Sequence, residues 1–163
     1  MSKKGFTLIE LLIVVAIMAI LAAVVFVALD PLTRFKDSRD SVRWQQANEM
    51  LLAIKLDQLD HGGQYLSNIS VLGQNITYMI GTNTSGCDDY NGSCLTDVYN
   101  DTSCVDLSPL VSRGYLGSIP VSPNGNGNWT DGVTGYTLTI TTSSAAIVRA
   151  CENEHSNEIE LIR

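Results

Sequence analysis

The sequence predicts an α+β chain: a long N-terminal helix, membrane-spanning in its first half and amphipathic in its second, packed against a small antiparallel β-sheet head with disulfides. Three observations carry this expectation. Residues 6–29 are almost wholly apolar, Ala47, Met50, Leu51 and Ile54 recur at helical spacing, and residues 136–141, 145–150 and 158–161 carry strand patterns.

The chain has 163 residues and a formal net charge of −7, a length that suits one modest core with an appendage rather than two sizeable domains. Mean hydropathy is +0.11, and most of that positive value comes from the N-terminus. The acidic balance argues against a general nucleic-acid binder, which needs Lys and Arg to displace counterions from phosphates. Boundaries are expected at residues 1–5, 6–30, 31–62 and 63–163.

The apolar run of about 24 residues would span roughly 36 Å as a helix, enough to cross a bilayer's hydrocarbon core. Lys3 and Lys4 precede it, so the N-terminus is expected to stay cytoplasmic and the bulk of the chain to be translocated. A cleaved secretory signal expects a shorter apolar core and a small-residue cut site, whereas this run closes on Leu29-Asp30-Pro31. One acidic residue, Glu10, interrupts the run near its cytoplasmic end. For an arbitrary membrane helix, snorkelling to the interface would account for it.

Lys4-Gly5-Phe6-Thr7-Leu8-Ile9-Glu10, followed by the uninterrupted apolar run, closely resembles the prepilin signal of bacterial type IV pilins and pseudopilins. The resemblance implies that residues 1–5 are a leader, that a prepilin peptidase cuts between Gly5 and Phe6, and that Phe6 is then N-methylated. It implies that Glu10 of one subunit pairs with the new Phe6 α-amine of a neighbour and sets axial register, because an unpaired buried charge costs more than a pair gains. The implied partners are identical subunits in a helical filament, the peptidase, and a membrane assembly platform with its ATPases. The implied location is the inner membrane before assembly and an extracellular filament at the cell surface afterwards. Many members carry a proline in or near the end of the apolar run; here Val27 stands there and the first proline is Pro31.

Beyond Pro31 the pattern stays helical to Gly62-Gly63, with Lys36/Asp40 and Asp40/Arg43 as opposite charges at helical spacing. A helix from Phe6 to His61 would be roughly 84 Å long, too long for a compact domain of this size, so its first half must find partners elsewhere. The apolar face from Ala47 to Leu59 is expected under the head, with Trp44 at its margin. Trp44 and Trp129 are read as packing anchors rather than sugar platforms. Ile76 to Ile80 is a further short strand, and Ser108 to Gly114, with its early Pro109, a short helix.

Four cysteines, Cys87, Cys94, Cys104 and Cys151, follow the export signal without a CxxC pair and point to two disulfides in an oxidising compartment. Of the three connectivities, Cys87 with Cys94 and Cys104 with Cys151 is favoured. The loop they share carries Asp88, Asp89, Asn91, Asp97 and Asp101, oxygen ligands of the kind calcium prefers. Their spacing is no EF-hand, so a solvated acidic loop with no cofactor is expected and calcium is the alternative. Six N-x-S/T sequons, at Asn68, Asn75, Asn83, Asn91, Asn100 and Asn128, exceed the roughly two that composition would give and make these asparagines glycosylation candidates.

Catalysis finds little support. His61 and His155 are far apart, each near an element boundary, and read as exposed polar residues; no GxSxG, HExxH or phosphate-cradling glycine loop occurs. The expectation is therefore a major-type pilin and no enzyme. The alternatives are the major pseudopilin of a type II secretion system and a bitopic membrane-anchored binding protein.

Overall fold

No glycine or proline lies between Leu8 and Leu29, and in the computed structural model these residues form one helix, α1 (Leu8–Leu29). The structure describes residues 5–99, 104–125, 127–155 and 158–163, so Lys3, Lys4, Asn100 and Asp101 lie outside the described residues. Helix α1 ends at Asp30, at φ 36° and ψ 71°. The ring of Pro31 disfavours the right-handed helical region for the residue before it, and aspartate tolerates the left-handed one. Pro31 then opens α2 (Pro31–Asp60) from the first helical position, where its missing N–H costs nothing. The regular helix thus pauses for one residue beside Pro31, not at Val27.

The chain divides into two compact units, Met1–Phe35 and Lys36–Arg163. In the first, α1 buries none of its residues. In the second, α2 buries a stripe made by Asp40, Arg43, Ala47, Met50, Leu51, Ala53, Ile54 and Asp57. The stripe is apolar in the middle and charged at both ends. Trp44 lies at its margin, 41% exposed. Gly62 and Gly63 close the helix at φ 68° and 88°, with the Gly63 N–H donating to Gln58 O at 2.7 Å.

After a single turn, α3 (Ser67–Ser70), come strand β1 (Thr77–Met79), a 3-10 turn at Asn91–Ser93, and α4 (Ser108–Ser112), with Pro109 in its first turn. Strands β2 (Tyr136–Ile140), β3 (Ala146–Ala150) and β4 (Glu160–Ile162) follow. The four strands form one sheet in the order β1-β2-β3-β4, every pair antiparallel, with Leu138 opposite both Tyr78 and Val148. Each expected strand is present. The last begins two residues later than expected and ends one later, because Glu158 accepts from Thr96 Oγ1 at 2.5 Å and the ladder begins at Glu160.

Alternation gives the sheet two faces. Tyr136, Leu138, Ile140, Ala146, Val148 and Ala150 pack with Ala47, Met50, Leu51 and Ile54 of α2 in the main core. Met79, from the other face, joins a second core with Cys87, Val98, Trp129, Val133 and Cys151. The threonines of that face are buried too, Thr77 and Thr139 sharing a hydrogen bond of 3.0 Å. Trp129 is a packing residue, its ring 5.3 Å from that of Tyr90. A Cβ on Gly127 or Gly135 would come within 2.6 or 2.5 Å of its indole, and Gly135 sits at φ 78°.

The cysteines are all paired, but with another connectivity than the favoured one: Cys87 with Cys104, and Cys94 with Cys151. Backbone pairing explains the correction. The segment entering α4 lies along the outer edge of β1, where Val105 N donates to Met79 O at 2.7 Å and Gly81 N to Val105 O at 3.0 Å. The Cys104 N–H in turn donates to Asn83 O at 3.0 Å, so Cys104 sits beside Cys87 with a Cα separation of 5.5 Å. Cys94, further round the loop, meets the residue that follows β3, at a Cα separation of 3.9 Å.

Candidate functional site

The first turn of α1 brings Gly5, Phe6, Thr7 and Glu10 together. Thr7 is the N-cap, in extended conformation, and it forms a reciprocal capping box with Glu10. The Thr7 N–H and hydroxyl both donate to Glu10 Oε2, at 2.8 and 2.7 Å, and the Glu10 N–H donates to Thr7 Oγ1 at 3.3 Å. Gly5 and Phe6 precede the cap as exposed chain outside the helix, and Phe6 is 83% exposed. The peptide bond between them is therefore reachable, and the helix beyond needs neither residue to start.

Behind this end, leucine, isoleucine, valine, methionine and phenylalanine side chains stand exposed all along α1, from Leu8 to Leu29. Among the described residues one helix is long and apolar enough to cross a membrane, and its apolar window is wholly unburied. In water such a surface is unfavourable, since each large aliphatic side chain gains about 1.5–3 kcal/mol on full burial.

In the head, the acidic loop residues Asp88, Asp89 and Asp97 belong to no group of three or more metal-ligating side chains among the described residues. Of the sequon asparagines, Asn75, Asn83 and Asn128 are exposed. Asn68 is committed through its amide to Asp106 O, and Asn91 exchanges two hydrogen bonds with the Val98 backbone at 3.0 and 2.8 Å. His61 Nδ1 lies 2.8 Å from Asp57 O and 3.3 Å from Asp57 Oδ1, and His155 Nδ1 lies 3.3 Å from Asp37 Oδ1, both histidines exposed.

The most elaborate side-chain arrangement is one that sequence reasoning missed. Arg43 is fully buried, and all five N–H groups of its guanidinium find acceptors. Nε donates to Ser122 Oγ at 3.2 Å, Nη1 to Asp40 Oδ1 at 2.7 Å and Glu154 Oε1 at 3.1 Å, and Nη2 to Pro123 O at 2.9 Å and Glu152 Oε2 at 3.1 Å. Asp40 also accepts the Glu154 and His155 backbone N–H groups, each at 3.0 Å, and Arg39 pairs with Glu154 through both ends of its fork. The Arg39 hydrogen bonds, seconded by Arg43, hold the Glu154 carboxyl at about 2. The cluster ties the segment after β3 to α2. Its signal was present in the sequence, because Arg43 and Asp40 continue the stripe of Ala47, Met50 and Ile54 at helical spacing. At the other end of that stripe Asp57 accepts from Arg113 Nη1 at 2.5 Å.

Fold and site together define an α+β protein with a long, unburied apolar helix at its N-terminus and a head closed by two disulfides. Residues 1–26 match the family described as the prokaryotic N-terminal methylation motif, the prepilin signal of type IV pilins and pseudopilins. No curated protein and no solved structure matches the chain. The motif supports a type IV pilin-like or pseudopilin-like protein, a structural subunit rather than an enzyme. It implies processing by prepilin peptidase and assembly into pilus-like filaments, and together with the apolar helix it fits membrane insertion before assembly.

Proposed function

We propose that the chain is the major-type subunit of a type IV pilus-like extracellular filament. The observation that carries this reading is α1 itself: 22 residues, none buried, led by a methylation motif and carrying one carboxylate at its capped end. In the membrane, lipid covers that surface; after assembly, the α1 helices of identical subunits cover one another, and dispersion and apolar burial hold the shaft together. The heads then form the filament surface.

In this reading, cleavage between Gly5 and Phe6 creates an α-amine that, once methylated, still carries positive charge. Glu10 of a neighbour neutralises it. A subunit out of register leaves both charges unmatched in an apolar bundle, where an ionised side chain costs on the order of 2.5–3.5 kcal/mol or more. The pair therefore selects position more than it adds adhesion. The exposed asparagines Asn75, Asn83 and Asn128 are the sequon sites at which the head could carry glycans facing solvent, which intact-mass measurement of the subunit checks.

The test is Glu10→Ala in the full chain. Leader removal should continue near its normal rate while sheared filament yield collapses; normal yield would contradict the reading. Deleting the gene product distinguishes the second member of the motif's range: loss of protein secretion with surface filaments unaffected would assign the chain to a type II secretion pseudopilus instead.

A further inference from the structure

We propose that Asn124 is a site of spontaneous covalent modification, at which the backbone nitrogen of Gly125 displaces the side-chain amide and leaves aspartate or isoaspartate on the surface of the head. Asparagine followed by glycine occurs three times, at Asn91-Gly92, Asn124-Gly125 and Asn126-Gly127. Glycine has no side chain to keep its nitrogen from folding back onto the asparagine Cγ, so the dipeptides alone rank the three alike. The fold does not. Asn91 is half-buried and both ends of its carboxamide are taken by the Val98 backbone, Nδ2 donating to Val98 O at 3.0 Å and Oδ1 accepting from Val98 N at 2.8 Å. It also opens a 3-10 turn. Asn126 lies outside the described residues. Asn124 is exposed, its Nδ2 has no hydrogen-bond partner among the described residues, and Gly125 N has none among them either.

The step balances with water alone. The Gly125 N–H loses its proton, the nitrogen bonds to Asn124 Cγ, and the Cγ–Nδ2 bond breaks, Nδ2 leaving as ammonia with that proton. Water then adds to either carbonyl of the cyclic imide and opens it to aspartate or isoaspartate; nothing is oxidised or reduced. The Trp129 N–H already donates to Asn124 Oδ1 at 3.2 Å, so negative charge gathering on that oxygen as Cγ is attacked meets a donor in place. The neighbouring ion cluster keeps the reactive pair in the chain. A Cβ on Gly125 would come 2.8 Å from Glu152 Oε2 and 3.2 Å from Arg43 Nη2, and the same Nη2 donates to Pro123 O at 2.9 Å, so the buried guanidinium leaves room only for a glycine after Asn124. Each event exchanges a neutral amide for a carboxylate on exposed surface, and the head grows more acidic with age.

The experiment incubates the full chain in detergent in mildly alkaline buffer, where loss of the Gly125 amide proton is favoured, and maps its peptides by mass spectrometry with fragmentation that separates Asn124 from Asn126. Conversion should be on the order of tenfold faster at Asn124 than at Asn91, since Asn91 must first give up two hydrogen bonds. Its rate at Asn124 should rise with pH. With the head unfolded in urea and the disulfides reduced, the rates at the two positions should converge. Conversion at Asn91 as fast as at Asn124 in the folded chain, conversion at Asn126 alone, no conversion at all, or a gap that persists in urea would each overturn the proposal.

Discussion

The unit Met1–Phe35 and the unit Lys36–Arg163 treat apolar residues in opposite ways. The first exposes them along α1 and buries none there, whereas the second encloses two cores on the two faces of one sheet. Charges are divided just as sharply. Glu10 is held on one side only, by its own cap, while Arg43 has every donor satisfied inside the head. The head is complete within one copy of the chain. In the proposed filament α1 supplies the contact between subunits, so stability is expected to reside in one unit and association in the other.

Substitutions should separate the two. Arg43→Ala strips the buried partner from Asp40, Glu152 and Glu154, and breaking such a pair costs about 3–5 kcal/mol. Thermal unfolding of the full chain in detergent should show that loss, and Arg43→Lys should recover only part of it, since an ammonium has three donors against the five used here. Removing the Cys94–Cys151 bridge, by serine at both positions, frees a loop of 57 residues and should cost up to about 4 kcal/mol in the same measurement. If either change reduced filament yield without lowering head stability, the division of labour would fail.

Smaller effects are expected elsewhere in the head. Gly135→Ala puts a Cβ 2.5 Å from the Trp129 ring at φ 78° and should lower stability by about 1–3 kcal/mol, visible as a shift in tryptophan fluorescence and melting temperature. Last is the acid limb. Glu154 ionises at about 2 in the folded chain, below the roughly 4.3 of a free glutamate. Its contribution is therefore fully present above about pH 4.3 and fades as pH falls toward 2. Glu154→Gln should flatten the stability profile across that window and leave its shape near neutrality unchanged.

Elements whose cause is local were legible in the sequence. The alternation of Tyr136 to Ile140, the Pro109 start of α4 and the Gly62-Gly63 stop of α2 each act within a few residues, and all three appear where expected. Arg43 was read only as an opposite charge to Asp40 at helical spacing. Its other acceptors lie 79 to 111 residues away, and only the return of the chain after β3 brings them to it. Cysteine pairing failed for the same reason: proximity along the loop suggested Cys87 with Cys94, whereas the strand-like course of residues 104 and 105 beside β1 put Cys104 there instead. At the N-terminus, residues 5–10 displayed the expected cut site and the carboxylate together, whereas the capping box between Thr7 and Glu10 emerged only from the structure.

In the proposed filament α1 is covered by copies of itself after the leader is removed. Electron microscopy of material sheared from the cell surface, with mass spectrometry of the subunit's N-terminus, tests it most directly. Filaments built from a chain that begins at methylated Phe6 are expected; an unpolymerised membrane protein still beginning at Met1 would overturn the filament reading.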